Sequence, residues 1–340
     1  MNKLKVAVIG CGAISRLRHI PEYAANPNVE IVAFCDPNIE RAKQYAETYK
    51  GRAYSDYETM LKQEHPDAVS VCTPNSLHAR TAIAVAEAGA HVLVEKPIAS
   101  TEAEALAMID AARAKGVYLM VAQNQRMMPE HVRAKELVDS GRLGKVLTFR
   151  TSFGYSGPEN WSVEGNGTWF YSKDKAIMGV TADLGVHKAD LIRWLLNDEV
   201  SEVASFVGTI HKGGTDLDDN AICILRMKGG AMGSLAASWT YYGEADNSTV
   251  LYCENGVMKV GTHPEDQIIL EMRDGTVERY RADDIATNAG QQSSGIIDAF
   301  IDSILTQTPP PIPGEEGLRS LKVVLAAFES QTSGKIVRMT

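Results

Sequence analysis

The sequence contains few cysteines, and no two of them have the spacing that binds zinc or forms a redox motif. Among 340 residues there are five, far apart along the chain: Cys11, Cys35, Cys72, Cys223 and Cys253. Zinc sites and thiol redox motifs need pairs of cysteines separated by only a few residues. We therefore expect reduced thiols, as in a cytoplasmic protein.

Long apolar runs and clusters of positive charge are also missing. No window approaches the ~20 apolar residues of a membrane-spanning helix, and the first apolar run, residues 6–9, is too short for a secretion signal. The net charge is -9, from 34 basic and 43 acidic residues, without the lysine and arginine patch typical of nucleic-acid binding. These absences predict a soluble, cytoplasmic protein that binds neither membrane nor nucleic acid.

The first third of the chain alternates short apolar runs with amphipathic stretches. Strands are predicted at residues 5–9, 29–35, 68–71, 91–94 and 118–122, and helices between them at 39–49, 77–88 and 101–115. Such alternation is typical of a parallel, doubly wound sheet with helices on both faces. We predict an α/β domain of the Rossmann type over residues 1–123.

The pattern changes after residue 123. A helix at 129–140, a strand at 146–153 and a helix at 179–196 precede several predicted strands without helices between them: 200–207, 221–227, 231–242, 248–253 and 267–272. Strands that follow one another directly pair antiparallel. Residues 124–340 are therefore predicted to form an α+β domain with a large, mostly antiparallel sheet. A stiff proline-rich connector at 309–313 and a last helix at 315–333 complete it.

Two glycines follow the first predicted strand directly. In the run Gly10-Cys11-Gly12-Ala13-Ile14, Gly10 allows a tight turn, and Gly12 lets backbone N–H groups approach a pyrophosphate at the start of a helix. Ser15 takes the place of the third glycine of the usual dinucleotide fingerprint. The position favours dinucleotide binding by this run, and the alternative is an ordinary turn between a strand and a helix.

Asp36 ends the second predicted strand, 24 residues after Gly12. A carboxylate there accepts hydrogen bonds from the adenosine ribose hydroxyls and repels the extra phosphate of NADP, so we predict NAD as the cofactor. Arg41 keeps NADP open as an alternative, although its place in a predicted helix favours a solvated position. For Asp36 the alternative is a turn residue before proline.

Polar residues also follow the later strands. Ligands of doubly wound sheets collect at the carboxyl ends of the strands, where Lys96 interrupts an apolar run. We therefore predict further cofactor contacts from Thr73, Pro74, Asn75, His78, Glu95, Lys96, Pro97 and Gln123. For His78 the alternative is a helix-start residue, and for Lys96 a lysine that ends its strand in solvent.

The motifs Gly10-Cys11-Gly12, Cys72-Thr73-Pro74-Asn75 and Glu95-Lys96-Pro97 together resemble the Gfo/Idh/MocA family, whose namesakes are glucose-fructose oxidoreductase and inositol dehydrogenase. The resemblance covers nearly the whole chain and implies an NAD-dependent enzyme. Members of the family pair the motif lysine with an Asp-x-x-x-His segment of the second domain, which Asp183 and His187 match here.

A spacing of four places Asp183 and His187 on one helical face. We expect His187 to act as general base toward a secondary alcohol, and Lys96 to donate to the reacting oxygen. Asp183 is expected to orient the imidazole or to bind a substrate hydroxyl. The alternatives are a metal site that includes Asp190, or a helix with a solvated acid and a core histidine. Residues 177–181 depart from the family's glycine-rich run, so the shape of the substrate pocket carries over from the family less well than the chemistry does.

Substrate contacts are predicted from Lys96, Asp183 and His187, from Arg126, and from mostly aromatic positions of the second domain. The further candidates are Tyr155, Trp161, Asn166, Trp169, Tyr241 and Tyr242. Aromatic faces beside polar groups suit sugars and cyclitols, and packing or subunit contact is the equal alternative.

The leading hypothesis is an NAD-dependent dehydrogenase of a sugar, a sugar derivative or an inositol. The alternatives are a glycosidase or lyase of the same fold that retains NAD, an NADP-linked sugar reductase, and a nucleotide-sensing protein without turnover. The resemblance also implies that subunits pack sheet against sheet through the second domain, as a homodimer or homotetramer.

Overall fold

The computed structural model describes residues 3–281 and 293–339, and its first domain is built on a parallel sheet. Six strands pair in the order β3-β2-β1-β4-β5-β6. They are β1 Leu4–Ile9, β2 Val29–Cys35, β3 Arg52–Tyr54, β4 Ala68–Val71, β5 His91–Val94 and β6 Leu119–Val121. The order reverses between β1 and β4, and this confirms the predicted doubly wound sheet.

Helices connect these strands as the alternating pattern predicted. Their bounds are α1 Ile20–Ala25, α2 Ile39–Tyr49, α3 Tyr57–Glu64, α4 His78–Glu87 and α5 Glu102–Lys115. A π-helical turn, Ser15–His19, leads into α1. Both ends of helix α5 are marked in the sequence. Thr101 and Glu104 form a capping box at its start, and Gly116 ends it with a φ of 67°.

The second domain is built on a larger sheet of nine strands within the described residues, in the order β14-β13-β12-β11-β7-β10-β9-β8-β15. Strands β7 and β10 pair in parallel, and the other neighbours pair antiparallel, which confirms the mostly antiparallel prediction. The bounds are β7 Val146–Gly154, β8 Val200–Gly208, β9 Asn220–Met227, β10 Met232–Ser238, β11 Thr249–Cys253, β12 Gly256–Val260, β13 Ile268–Met272, β14 Val277–Tyr280 and β15 Val337–Arg338.

Three helices pack against this sheet: α6 Pro129–Asp139, α8 Val186–Leu196 and α10 Gly314–Ser333. The two other helices after residue 123 are α7 Lys173–Ala176 and α9 Ile296–Thr306. A second π-helical turn, Thr181–Gly185, runs directly into α8. The predicted helix at 179–196 is therefore one continuous helical segment with a wider first turn.

The last segment of the chain returns to the first domain, which the predicted boundary at residue 123 did not include. Ile297, Phe300 and Ile301 of α9 are buried in the core of the parallel sheet, together with Leu321 of α10. The proline-rich stretch is not a free spacer, because Ile312 is fully buried and its carbonyl accepts a hydrogen bond of 2.9 Å from Val121. The C-terminal helices thus bind the two domains together around a shared cleft.

Candidate active site

Two adjoining cavities lie in the cleft between the domains. The first, of about 520 Å³, follows the carboxyl ends of β1, β2 and β4, and the second, of about 660 Å³, lies on the side of His187. Six residues line both: Ile14, Glu95, Lys96, Trp161, Ser162 and Asp183. The cavities are therefore two compartments of one site, and Lys96 stands at their junction.

The glycine loop forms the floor of the first cavity. Gly10 has a φ of +91°, and a Cβ there would lie 2.4 Å from the backbone oxygen of Cys72, so only glycine fits. Above Gly12 no atom lies within 4 Å of the place of a Cβ, which leaves room for a ligand. Ser15 closes the loop in place of the third glycine, because its Oγ lies 2.7 Å from the oxygen of Gly10 and 3.0 Å from that of Gly12.

Asp36 is held at the end of β2 by backbone donors. Its Oδ2 accepts from the N–H of Cys11 at 2.9 Å and its Oδ1 from that of Asn38 at 2.8 Å. Arg41 is not simply solvated, as the sequence favoured. Its guanidinium lies 3.5 Å from Asp36 Oδ2 and 3.1 Å from Oε1 of Glu164 in the second domain.

The segment after β4 fastens the two walls of the cavity. Asn75 donates through Nδ2 to the backbone oxygen of Ala176 at 3.0 Å. His78 is almost fully buried, and its ring nitrogens lie 2.7 Å from the oxygen of Pro97 and 2.9 Å from that of Thr73. Burial lowers the pKa of His78. His78 thus joins two loops of the cavity wall and lines the first cavity, with both ring nitrogens already hydrogen-bonded to backbone oxygens. Its contact with the cofactor stays a prediction.

Lys96 and Asp183 form the central ion pair. Lys96 Nζ lies 2.7 Å from Asp183 Oδ1 and 3.0 Å from the backbone oxygen of Asp183. The other carboxylate oxygen accepts from Trp239 Nε1 at 3.0 Å and Tyr155 Oη at 3.3 Å. These three donors occupy Asp183, so it orients the lysine and not the imidazole of His187. Of the two roles expected of Asp183, orienting the imidazole of His187 does not agree with these contacts, because the cation at the end of β5 is the stronger partner. Binding of a substrate hydroxyl stays a prediction.

His187 is buried beside the second cavity without a partner for Nδ1 among the described residues. Burial, reinforced by the positive charges of Lys96 and Lys188, lowers the pKa of His187 well below its ordinary value. The ring lies 5.9 Å from that of Phe153. The imidazole is therefore neutral at neutral pH and able to accept a proton.

Sequence reasoning missed His19, which lies behind Lys96 and lines the second cavity. Its Nε2 lies 3.0 Å from Oε1 of Glu95 and its Nδ1 lies 2.9 Å from Oγ of Ser70. His19 could have been predicted as a site residue from its position on the helical segment directly after the glycine loop. The pair places Glu95, which was predicted as a cofactor contact, in a buried hydrogen-bond network.

Several predicted substrate residues lie elsewhere. Arg126 is buried and bonds to Asp190 at 2.7 and 2.6 Å and to Glu316 at 2.7 Å, so its guanidinium is consumed by an internal network outside both cavities. The same network removes Asp190 from any metal site with Asp183. Within the described residues, no group of three or more histidine, cysteine or acidic side chains is placed to hold a metal ion.

The other predicted substrate residues divide into those that line a cavity and those that do not. Tyr155 and Trp161 line the second cavity, and Trp169 lines the first with its ring 3.9 Å from that of Phe170. The remaining candidates do not line either cavity: Asn166, Tyr241 and Tyr242. Gln123 is fully buried and also outside the lining, with no partner for its amide group among the described residues.

The residues of the first cavity fit a dinucleotide. Gly10 makes the close turn, the space above Gly12 is open, and Asp36 stands where a ribose would bind. Thr73 Oγ1 is buried without a partner among the described residues, as expected of a group that bonds to a ligand. Fold and site define a two-domain protein whose first cavity binds a dinucleotide.

Comparison with known proteins supports this assignment of fold and cofactor site. Residues 4–123 match a family model described as an oxidoreductase family with an NAD-binding Rossmann fold, and residues 131–259 match the Gfo/Idh/MocA C-terminal domain. Levoglucosan dehydrogenase of Pseudarthrobacter phenanthrenivorans is 31% identical over 278 residues, which are 72% of this chain and 69% of that protein. Myo-inositol 2-dehydrogenase of Thermotoga maritima is 25% identical over 350 residues, which are 99% of this chain and 98% of that protein.

A solved structure of levoglucosan dehydrogenase in complex with NADH and levoglucosan has the same fold. Its TM-score is 0.88 at 25% identity, over 99% of each chain. The chain belongs to the Gfo/Idh/MocA family of oxidoreductases, and its cofactor is NAD, which the first domain binds. Among the described residues, no helix has both the length and the apolar character needed to cross a bilayer.

Proposed function

We propose that this enzyme oxidises a secondary hydroxyl of a sugar, a sugar derivative or an inositol, with His187 as the general base. The observation that carries the proposal is a buried, neutral imidazole on the wall of the second cavity, next to the Lys96–Asp183 ion pair. A low pKa keeps the imidazole unprotonated across the neutral range, which is the state that a general base must have before the reaction.

The nicotinamide of bound NAD supplies the hydride acceptor for such an oxidation. His187 receives the proton of the substrate hydroxyl. Lys96 Nζ, held by Asp183 at 2.7 Å, donates a hydrogen bond to the same oxygen as negative charge grows on it. Asp183 keeps that ammonium in place because Trp239 and Tyr155 fix its second oxygen.

The lining of the second cavity supports a polyol as the substrate. Phe153, Tyr155 and Trp161 offer aromatic faces, and Asn124, Asn160 and Gln125 offer amide groups. Sugars present alternating apolar and hydroxyl surfaces that match such a lining. The relatives named for levoglucosan and for myo-inositol point to the same class of substrate.

The test is NADH absorbance with purified protein against inositols, aldoses, anhydrosugars and glycosides, with NAD and NADP in parallel. We expect steady NADH formation with at least one polyol and a preference for NAD. Cleavage of a glycoside without net NADH formation would support the NAD-retaining glycosidase instead. NAD binding without turnover of any of these compounds would contradict the proposal.

We also propose that subunits associate through the outer face of the nine-stranded sheet. Phe206 is 83% exposed there, and Ile222 and Ile224 of the neighbouring strand are 58% and 55% exposed. A contiguous apolar face of this kind is typical of a subunit interface. We expect Phe206→Glu to lower the mass measured by light scattering from that of a dimer or tetramer to that of one chain. Leu305→Glu on α9, outside the sheet, is the control.

The proposed location is the cytoplasm. Four of the five cysteines, Cys11, Cys35, Cys72 and Cys223, are buried as free thiols, which suits a reducing compartment. Recovery of the activity in the cytosolic fraction of the producing cell would test it.

A further inference from the structure

A segment of the second domain reaches over the end of the first cavity where Asp36 lies. This covering segment, residues 155–171, follows β7 and contains three short 3₁₀ turns. Its members Ser162, Glu164 and Gly167 line the first cavity together with Asp36 and Arg41. The part of the site that meets the adenosine ribose is therefore built by both domains.

Glu164 makes the polar contact between the covering segment and the first domain at this end. Its Oε1 lies 3.1 Å from Nη2 of Arg41, and its Oε2 accepts from Ser162 Oγ at 3.0 Å. The other terminal nitrogen of Arg41 lies 3.5 Å from Asp36 Oδ2. One guanidinium is thus shared by two carboxylates from different domains, and all three groups are partly sheltered from solvent.

The covering segment is itself anchored, so Glu164 is held in place. Glu159 bonds to Lys212 and to Tyr171, and Trp161 Nε1 donates to Tyr155 Oη at 3.0 Å. Through Tyr155 the segment is connected to Asp183. The chain on either side of Glu164 is therefore tied to the second domain, and its carboxylate is held by Arg41 and Ser162.

The charges in this corner distinguish the two nicotinamide cofactors. NADP differs from NAD by a phosphate on the adenosine ribose, next to the position of Asp36. Arg41 is the cation best placed to bind that phosphate, but both of its terminal nitrogens face carboxylates. A phosphate entering here would meet two negative charges and a guanidinium that is already paired.

We propose that Glu164 is a cofactor-selecting residue of this enzyme: it occupies Arg41 and adds a second negative charge, so that NADP is rejected from the second domain as well as by Asp36. The inference rests on the NAD site and not on the choice of substrate or base. Glu164 is a specificity residue and takes no part in proton transfer.

The test is calorimetric titration of NAD and NADP into three variants, without substrate. In Glu164→Gln, Arg41 is released from the carboxylate, and we expect NADP to bind about tenfold more tightly while NAD changes less than about twofold. In Glu164→Gln combined with Arg41→Ala, the gain for NADP should disappear. Glu40→Gln is the matched control, since Glu40 is exposed and pairs with Lys43, and it should change neither dissociation constant.

The outcomes separate the possible roles of Glu164. An unchanged NADP affinity in Glu164→Gln, or a gain that survives the loss of Arg41, overturns the proposal. Equal weakening of both cofactors would show that Glu164 only closes the cleft, and this also overturns it. If the unmodified protein bound no NAD, the assignment of the first cavity itself would fail, which is a separate result.

Discussion

At the scale of single residues, the site separates a paired charge from a neutral base. Lys96 is compensated by Asp183 at 2.7 Å, whereas His187 is buried beside two lysines and kept unprotonated. In the proposed reaction, the oxygen that loses its proton meets the ammonium of Lys96 as hydrogen-bond donor and the imidazole of His187 as proton acceptor. We expect this combination to favour an alkoxide-like transition state over the neutral alcohol.

The positive charge of Lys188 lowers the pKa of its neighbour His187. Lys188 is fully buried, its Nζ donates to the backbone oxygen of Asn247 at 3.0 Å, and burial lowers the pKa of Lys188 to about 7. Below that pH its charge is present and opposes protonation of His187.

Lys188→Met should therefore raise the pKa of His187 and move the acid limb of the kcat/KM profile to higher pH. The measurement is kcat/KM between pH 5 and 9 for the unmodified enzyme and the variant, with thermal unfolding as a check on folding. An acid limb that stays in place or moves to lower pH would refute the role of the Lys188 charge.

The residues that sequence reasoning placed correctly are those at strand ends. Gly10, Asp36 and Lys96 follow from their position, because carboxyl ends of parallel strands meet at one edge. The partners of the charged side chains were harder to predict. Asp183 pairs with Lys96 and not with His187, and Arg126 pairs with Asp190. Both pairs join segments more than 60 residues apart in the sequence, whose distance in space no local pattern reveals.

At the scale of elements, the segment that carries Asp183 and His187 depends on a buried carboxylate at its start. Asp218 accepts from the N–H of Gly179 at 2.6 Å and from the N–H and Oγ1 of Thr181 at 2.7 and 2.6 Å. These bonds satisfy donors that a helix start leaves open. The π-helical turn Thr181–Gly185 then places Asp183 against Lys96.

Gly179→Ala should disturb this start. A Cβ at Gly179 would lie 2.0 Å from the backbone oxygen of Asp218, so the helix or the loop must shift. We expect a loss of about 1–3 kcal/mol in the free energy of unfolding together with a lower kcat. Gly213→Ala is the control, since no atom lies within 4 Å of a Cβ there. Chemical denaturation and steady-state kinetics measure both effects, and a variant indistinguishable from the control would refute the argument.

Buried apolar strands were predictable even where they are short, as β4 and β5 with four residues each show. Strands β3 and β14 lie at the sheet edges and are only partly buried, so they carry no apolar run that could reveal them. The π-helical turns have no sequence signature in the alternation of apolar residues. The predicted strand at 231–242 ends at Ser238, because Trp239 turns inward and donates to Asp183.

At the scale of the whole molecule, the site exists because the chain crosses between domains several times. The covering segment, the contact from Asn75 to Ala176 and the return of α9 and α10 all join the two domains. The two sheets follow from strand order and spacing along the sequence. The contacts that hold the two domains together are made by single side chains, and the periodicity of apolar residues does not predict them.

Stability should fall as the solution becomes acidic, because three almost fully buried histidines are held neutral. Burial lowers the pKa of His78 and His187, and lowers that of His131 to about 3. As the pH falls through 6.5, the unfolded chain binds more protons at these positions than the folded chain does, so unfolding takes up protons.

We expect the free energy of unfolding to decrease between pH 6.5 and 5, with His131 contributing up to about 1.4 kcal/mol per pH unit and His78 and His187 contributing in the same direction. Urea denaturation across this range measures it. His131→Gln should remove the contribution of one histidine from the dependence of the unfolding free energy on pH. His211→Asn, at an exposed position, should leave that dependence unchanged. A stability independent of pH in this window would contradict the burial argument.

The most direct test of the central claim, that His187 is the base of a polyol dehydrogenase, is the kinetics of His187→Asn combined with a titration of NAD. We predict that kcat falls by about a hundredfold to ten-thousandfold with the best polyol substrate, while the dissociation constant of NAD changes less than about twofold. His211→Asn should retain full turnover. Turnover of His187→Asn close to that of the unmodified enzyme would contradict the account.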